Sequence, residues 1–161
     1  MTWGDAHAAC EMFCSALAYV EKVEEAKKLG RALKDLMKDH NFVPDDYLTP
    51  AAEKKYEYGL DRRYWIGLSD IDTEGTWMWV GKNIKLNYDL WYPAQPDHLP
   101  NGTKKPNTVL EHCVVYWYPV FYAKIKEDFP TWNDEPCTNK HYAICDSPRS
   151  AAKVGRPCFT I

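Results

Sequence analysis

Five polar side chains carry the chemistry this sequence offers. Gln95 and Asp97 flank Pro96, Glu111 stands two residues before Cys113, and Asn133 and Asp134 stand just ahead of Cys137. Gln95 and Asn133 bring neutral amide carbonyls; Asp97, Glu111 and Asp134 bring carboxylates. Hard oxygens with three negative charges suit Ca²⁺, which takes about six to eight oxygen ligands in a loose geometry. They do not suit zinc, which prefers nitrogen and sulfur in a tetrahedron. Pro96 fits the same chemistry. An X-Pro bond reaches the cis form at little cost, and a cis bond in a loop turns the two flanking side chains to one side, here Gln95 and Asp97. Each motif alone reads equally well as a polar loop; together and in this order they point to one ion.

These residues need elements to hold them. Trp3, Ala6, Cys10, Phe13 and Cys14 recur at helical spacing over 3–14. Residues 16–20 read as a strand. A second helix is expected over 22–38, with Val23, Ala26, Leu29, Ala32, Leu33 and Leu36 inward and Glu and Lys on the solvated face. Residues 64–69 and 77–80 are rich in aromatic and β-branched types and read as strands. From 81 to 112 the chain reads mostly as long loop, a feature that is usually functional. Residues 113–122 read as a strand with an aromatic turn, and 138–145 as a closing strand. Pro44, Asp45, Asp46 and Pro50 mark an insert over 39–63, with a turn or two of helix over 51–58.

At these positions the sequence resembles the C-type lectin domain family, of the calcium-dependent sugar-binding kind. The resemblance rests on Trp3, Ala6 and Cys10; on Tyr64-Trp65-Ile66-Gly67-Leu68; on Glu74-Gly75-Thr76-Trp77-Met78-Trp79; on Trp91 and Pro93 ahead of Gln95-Pro96-Asp97; on Trp132-Asn133-Asp134; and on Ala143-Ile144-Cys145. It implies an α+β fold, two helices flanking a small antiparallel sheet with a long calcium-binding loop region and disulfides. The expected domain is 1–146, followed by a tail over 147–161. The resemblance implies the pairs Cys10–Cys145 and Cys113–Cys137. Cys14 and Cys158 remain, either joined within the chain or with Cys158 bridging to a second chain. The family's first strand lies upstream of the Trp-Ala-Cys helix, so either the chain is trimmed or its C-terminal tail fills that edge.

The resemblance also implies a role for each site residue. Gln95, Asp97, Glu111, Asn133 and Asp134 hold Ca²⁺, and Gln95, Asp97, Glu111, Asn133 and His98 contact the sugar. Gln-Pro-Asp is the family's galactose-type arrangement and Glu-Pro-Asn its mannose-type, so terminal galactose or N-acetylgalactosamine is expected. The stacking aromatic that usually follows the motif is missing, and His98, Trp117 or Tyr118 is left to take its place. The family's accessory calcium positions fall on Asp70, Glu74, His98 and His112. Imidazole is a poor calcium ligand, so no accessory calcium is expected. The four either bind a transition metal, which imidazole suits, or are ordinary polar loop residues. Three close carboxylates make binding sensitive to EDTA and to acid. Asn101-Gly102-Thr103 is an N-glycosylation sequon in the same loop.

Composition narrows the classes further. The chain of 161 residues carries a formal net charge of −3, which gives no reason to expect nucleic acid or an anionic membrane. No apolar run approaches the length of a bilayer span. Six cysteines suggest an oxidising compartment. No signal-peptide pattern opens the chain, so a secreted protein would be in mature or trimmed form. No nucleophile elbow or phosphate loop appears, and no enzyme is expected. The expectation is an extracellular lectin, of innate defence in role and a homo-oligomer for avidity. The alternatives are a haemostasis-type protein-binding module and a mineral- or ice-binding one, with calcium as a brace.

Overall fold

The computed structural model describes residues 1–38, 63–98, 110–117 and 131–146. The insert over 39–62, the sequon at Asn101, Leu99, Tyr118, the tail and Cys158 lie outside the described residues.

The first helix, α1 (Trp3–Met12), starts on a capping box. Thr2 Oγ1 accepts from the Asp5 N–H, and Asp5 returns a carboxylate to the Thr2 N–H, both at 3.2 Å. It buries Trp3, Ala6 and Cys10. The helix stops at Met12, and Cys14 takes a left-handed backbone with φ 54°. That turn leaves Phe13, expected to face inward, 73% exposed. The second helix, α2 (Val23–Lys38), buries Ala26 and Leu33, with Leu29 packed at the margin, while Ala32 points to solvent instead of inward.

Six strands form the sheet: β1 (Tyr64–Ser69), β2 (Met78–Trp79), β3 (Ile84–Lys85), β4 (Cys113–Trp117), β5 (Thr131–Glu135) and β6 (Tyr142–Ala143). The order is β3-β2-β1-β4-β5, and β6 pairs in parallel with the first half of β1. Every residue of β1 is buried, because its two faces serve two cores. Tyr64, Ile66 and Leu68 pack with Ala26 and Leu33 of α2, while Trp65 packs with Trp3, Ala6 and Cys10 of α1. β4 alternates likewise, Val114 and Tyr116 on the α2 side and Cys113 and Val115 on the α1 side.

Expectations for the strands are corrected as well. Residues 16–20 make one bridge, Leu17 to Cys145, rather than a strand. Their bonds go instead to two different neighbours, Ala18 N–H to Ile144 O at 2.7 Å and Gly67 N–H to Ala18 O at 3.0 Å. The closing strand shrinks from 138–145 to β6, and β3 and β5 appear where loop or motif was read. At the chain's start, Met1 and His141 exchange hydrogen bonds of 3.0 Å, so this residue already pairs beside the final strand.

Gly67 is required by the crossing. A Cβ there would sit 2.9 Å from Leu17 O and 3.2 Å from Ala18 O. Because both obstacles are backbone, Gly67→Ala is expected to cost about 1 to 3 kcal/mol. Thermal melting checks this; an unchanged midpoint would mean that the 17–18 segment yields freely.

Both expected disulfides are present, Cys10–Cys145 and Cys113–Cys137. Cys14 is also disulfide-bonded.

Candidate metal centre

The β4–β5 ladder sets the site. Cys113 pairs with Glu135, Val114 with Asp134 and Val115 with Asn133. This brings Glu111, two residues before β4, to the end of the sheet that carries Asn133 and Asp134. The Cys113–Cys137 bridge ties the same end. The Gln95-Pro96-Asp97 loop is delivered by a second set of contacts. Trp132 N–H donates to Leu90 O at 2.9 Å and Tyr92 N–H to Trp132 O at 2.8 Å. Trp132 is fully buried against Trp79, Tyr88, Trp91 and Tyr116, so the loop departs from a rigid aromatic block. The Gln95–Pro96 peptide is cis.

Carboxylate oxygens of Asp97, Glu111 and Asp134 come within 4.8 Å of one another. Glu111 and Asp134 are buried. Asp134 accepts from the Asp97 N–H at 3.2 Å and the His98 N–H at 2.8 Å, while Gln95 Oε1 accepts from the Asp97 N–H at 3.1 Å. Asn133 Oδ1 is buried and accepts no hydrogen bond. A buried amide oxygen without a donor is costly. Beside three carboxylates it is the atom a hard cation would satisfy, so these residues fit Ca²⁺.

The electrostatics fit as well. Burial, then the Asp134 charge, then the Asp97 carboxyl push Glu111 up to about 8. Burial also raises Asp134, against the N–H groups of His98 and Asp97 that favour its ionised form. Without a cation, the site resists carrying its full negative charge.

A second cluster adjoins the first. Carboxylate oxygens of Asp70 and Glu74 and a ring nitrogen of His112 lie within 4.8 Å of one another. His98, with φ 57°, stacks one ring face on Trp77 at 5.8 Å. Trp117, another expected sugar-stacking residue, lies against Tyr92 at 5.1 Å and under Arg63 at 5.3 Å. It pairs with Thr131, three positions along the ladder from Val114 and Asp134, roughly 10 Å from that level at the usual strand rise.

One functional support escaped sequence reading. Glu135, next to the Asn133-Asp134 pair, is buried and receives Arg63, Asn139 at 3.0 Å and His141 at 2.6 Å. Burial alone would raise its carboxyl, but the His141 hydrogen bond, the Arg63 and His141 charges and Asn139 bring it down to about 2. The only signal in sequence was a further acidic residue directly after the Asn133-Asp134 pair.

The profile of the lectin C-type domain family matches residues 1–147. The chain is 32% identical over 88 residues to perlucin of Haliotis laevigata, covering 53% of this chain and 45% of perlucin. It is 27% identical over 146 residues to C-type lectin BfL-2 of Bungarus fasciatus, covering 89% and 69%. It is 34% identical over 82 residues to salivary C-type lectin 2 of Aedes albopictus, covering 51% and 46%. The matched stretch thus spans less than half of perlucin and of the salivary lectin. Among solved structures, the fold is similar to the carbohydrate-recognition domain of cow CD23, with TM-score 0.56, 22% identity and coverage of 90% and 78%. It is similar to the C-type lectin CEL-I of Cucumaria echinata, with TM-score 0.57, 20% identity and coverage of 90% and 81%. Herring type II antifreeze protein shares the fold too, with TM-score 0.55, 22% identity and coverage of 90% and 81%.

Proposed function

The chain belongs to the C-type lectin domain family, a carbohydrate-binding family of non-enzymatic proteins, and from that premise we propose that it is an extracellular, calcium-dependent lectin for terminal galactose or N-acetylgalactosamine. The observation that carries the reading is the buried, unbonded Asn133 Oδ1 beside the converging carboxylates of Asp97, Glu111 and Asp134. Gln95, Asp97, Glu111, Asn133 and Asp134 would hold Ca²⁺. The bound ion supplies coordination for two adjacent sugar hydroxyls. Around it, Gln95 and Asn133 amides donate to those hydroxyls, and Asp97 and Glu111 accept from them. His98 keeps one ring face on Trp77, and its other face is the proposed stacking surface for the sugar.

Among the described residues, no helix is long and apolar enough to cross a membrane. A single weak site gains avidity when several are linked, so self-association is part of the proposal.

A glycan array run in calcium and again in EDTA tests the reading. Calcium-dependent signal on galactose-terminated glycans supports it, and binding that persists in EDTA removes the mechanism. Exchanging the donor and acceptor pattern with Gln95→Glu and Asp97→Asn together is expected to move preference to mannose by at least about tenfold, on the order of 1.4 kcal/mol. Competition by free sugars reads this out, and an unchanged preference would take specificity away from residues 95 and 97.

A further inference from the structure

The cluster beside the proposed calcium site has a different chemistry. Asp70 is buried, yet both its carboxylate oxygens are engaged. Oδ1 lies 2.9 Å from His112 Nδ1. Oδ2 accepts from the Gly75 N–H at 2.8 Å and lies 3.6 Å from His98 Nδ1. Glu74 closes the group from the exposed side, with Oε1 2.9 Å from His98 Nδ1 and Oε2 3.5 Å from His112 Nδ1. His98 Nδ1 is shielded from solvent, and its short approach to Glu74 is not aligned as a hydrogen bond, so that nitrogen is left unbonded.

We propose that Asp70, Glu74, His98 and His112 form a second metal site, selective for a borderline transition ion such as Zn²⁺ over Ca²⁺. Zinc–nitrogen and zinc–oxygen bonds of about 2.0 to 2.2 Å set the ligands of a tetrahedron roughly 3.3 to 3.6 Å apart. The nitrogen–oxygen separations run from 2.9 to 3.6 Å, each histidine facing a different oxygen of each carboxylate. One atom each from Asp70, Glu74 and His112 already converge within 4.8 Å, and His98 Nδ1 stands beside them, 2.9 Å from Glu74 Oε1. Two carboxylates and two neutral imidazoles neutralise a divalent ion. Nitrogen ligands disfavour calcium, which takes oxygens, and favour zinc, copper or nickel. The outer supports are in place: Gly75 N–H fixes Asp70, and Trp77 fixes the His98 ring. His98 Nδ1 also lies 3.9 Å from Asp134 Oδ2, so the two sites share a wall. The second is therefore measured with the first filled.

The test is calorimetric titration of Zn²⁺ into the whole chain held in saturating Ca²⁺, without sugar. One zinc per chain is expected beyond the calcium. His98→Gln and His112→Gln are each expected to weaken it at least tenfold, whereas His7→Gln on the outside of α1 leaves it unchanged. Co²⁺ substituted into the unmutated protein is expected to give the intense visible bands of a tetrahedral ion, with two imidazoles in its X-ray absorption shell. This readout does not depend on how the variants fold. Absence of zinc binding, zinc binding indifferent to both histidine substitutions, or its displacement by excess Ca²⁺ would each overturn the site. None of these outcomes bears on sugar binding.

Discussion

Glu111→Gln is expected to abolish useful calcium binding while leaving the calcium-free protein folded, and above neutral pH more stable than the parent. The substitution keeps the shape of the side chain and removes one of three charges. Calcium affinity follows ligand charge, so a loss of at least about a hundredfold is expected, on the order of 3 kcal/mol. The stability effect has the opposite sign. In the calcium-free fold Glu111 titrates near 8 against an ordinary value of 4.5. A carboxyl raised on folding contributes stability that is fully present below its unfolded pKa and lost as pH rises through the folded one. The parent in EDTA should therefore lose about 3 to 5 kcal/mol between roughly pH 4.5 and pH 9 from this group. Glu111→Gln lacks that loss. Melting of both proteins in EDTA across this range measures the difference, and parallel curves would sink the account. With calcium present the same titration becomes a competition. Binding should weaken as pH falls below about 8, because each bound ion must displace the proton on Glu111.

Glu135→Ala is expected to be strongly destabilising, although it replaces none of the proposed calcium ligands. The buried carboxylate is the common acceptor for Arg63, Asn139 and His141. Removing one partner of a buried charged network costs about 3 to 5 kcal/mol. For a chain of this size that lowers the melting midpoint by roughly 6 to 20 °C. The pH dependence provides a second reading. Glu135 is depressed from 4.5 to about 2, so its contribution is present above about 4.5 and fades as pH falls toward about 2. That shift corresponds to about 3 kcal/mol, in line with the mutational figure. Parent and variant should converge in acid; a constant gap down to about pH 2 would mean that the loss is one of packing rather than charge. Asn133 Nδ2 lies 3.5 Å from Glu135 Oε1, so a modest fall in calcium affinity should accompany the loss of stability.

The two predictions separate the site from its support, and the chain encodes these differently. The donor types were legible: Gln95, Asp97, Glu111, Asn133 and Asp134 are all oxygen-bearing, and zinc-type spacing is absent from the cysteines. Both helices and β1 were legible because their apolar residues recur at local periods, 3.6 for Trp3, Ala6 and Cys10 and a continuous buried run for 64–69. The Cys10–Cys145 and Cys113–Cys137 pairs were legible through family resemblance rather than spacing.

What sequence left undecided depends on residues far apart in the chain. β5, Thr-Trp-Asn-Asp-Glu, has one large apolar residue and no strand pattern, yet all five positions are buried. Pairing with β4 and packing of Trp132 among four other aromatic rings bury it, not its own composition. Residues 16–20 have the composition of a strand but are denied a ladder, since their backbone groups are divided between Gly67 and Ile144. The stranded Asn133 oxygen, the raised Glu111 and the unbonded His98 nitrogen are likewise products of burial. Residue types alone determined that oxygen donors, and a few imidazoles, were available in this protein. Only the tertiary structure decided which of them lost water without gaining a partner, because desolvation is set by neighbours that local sequence does not contain.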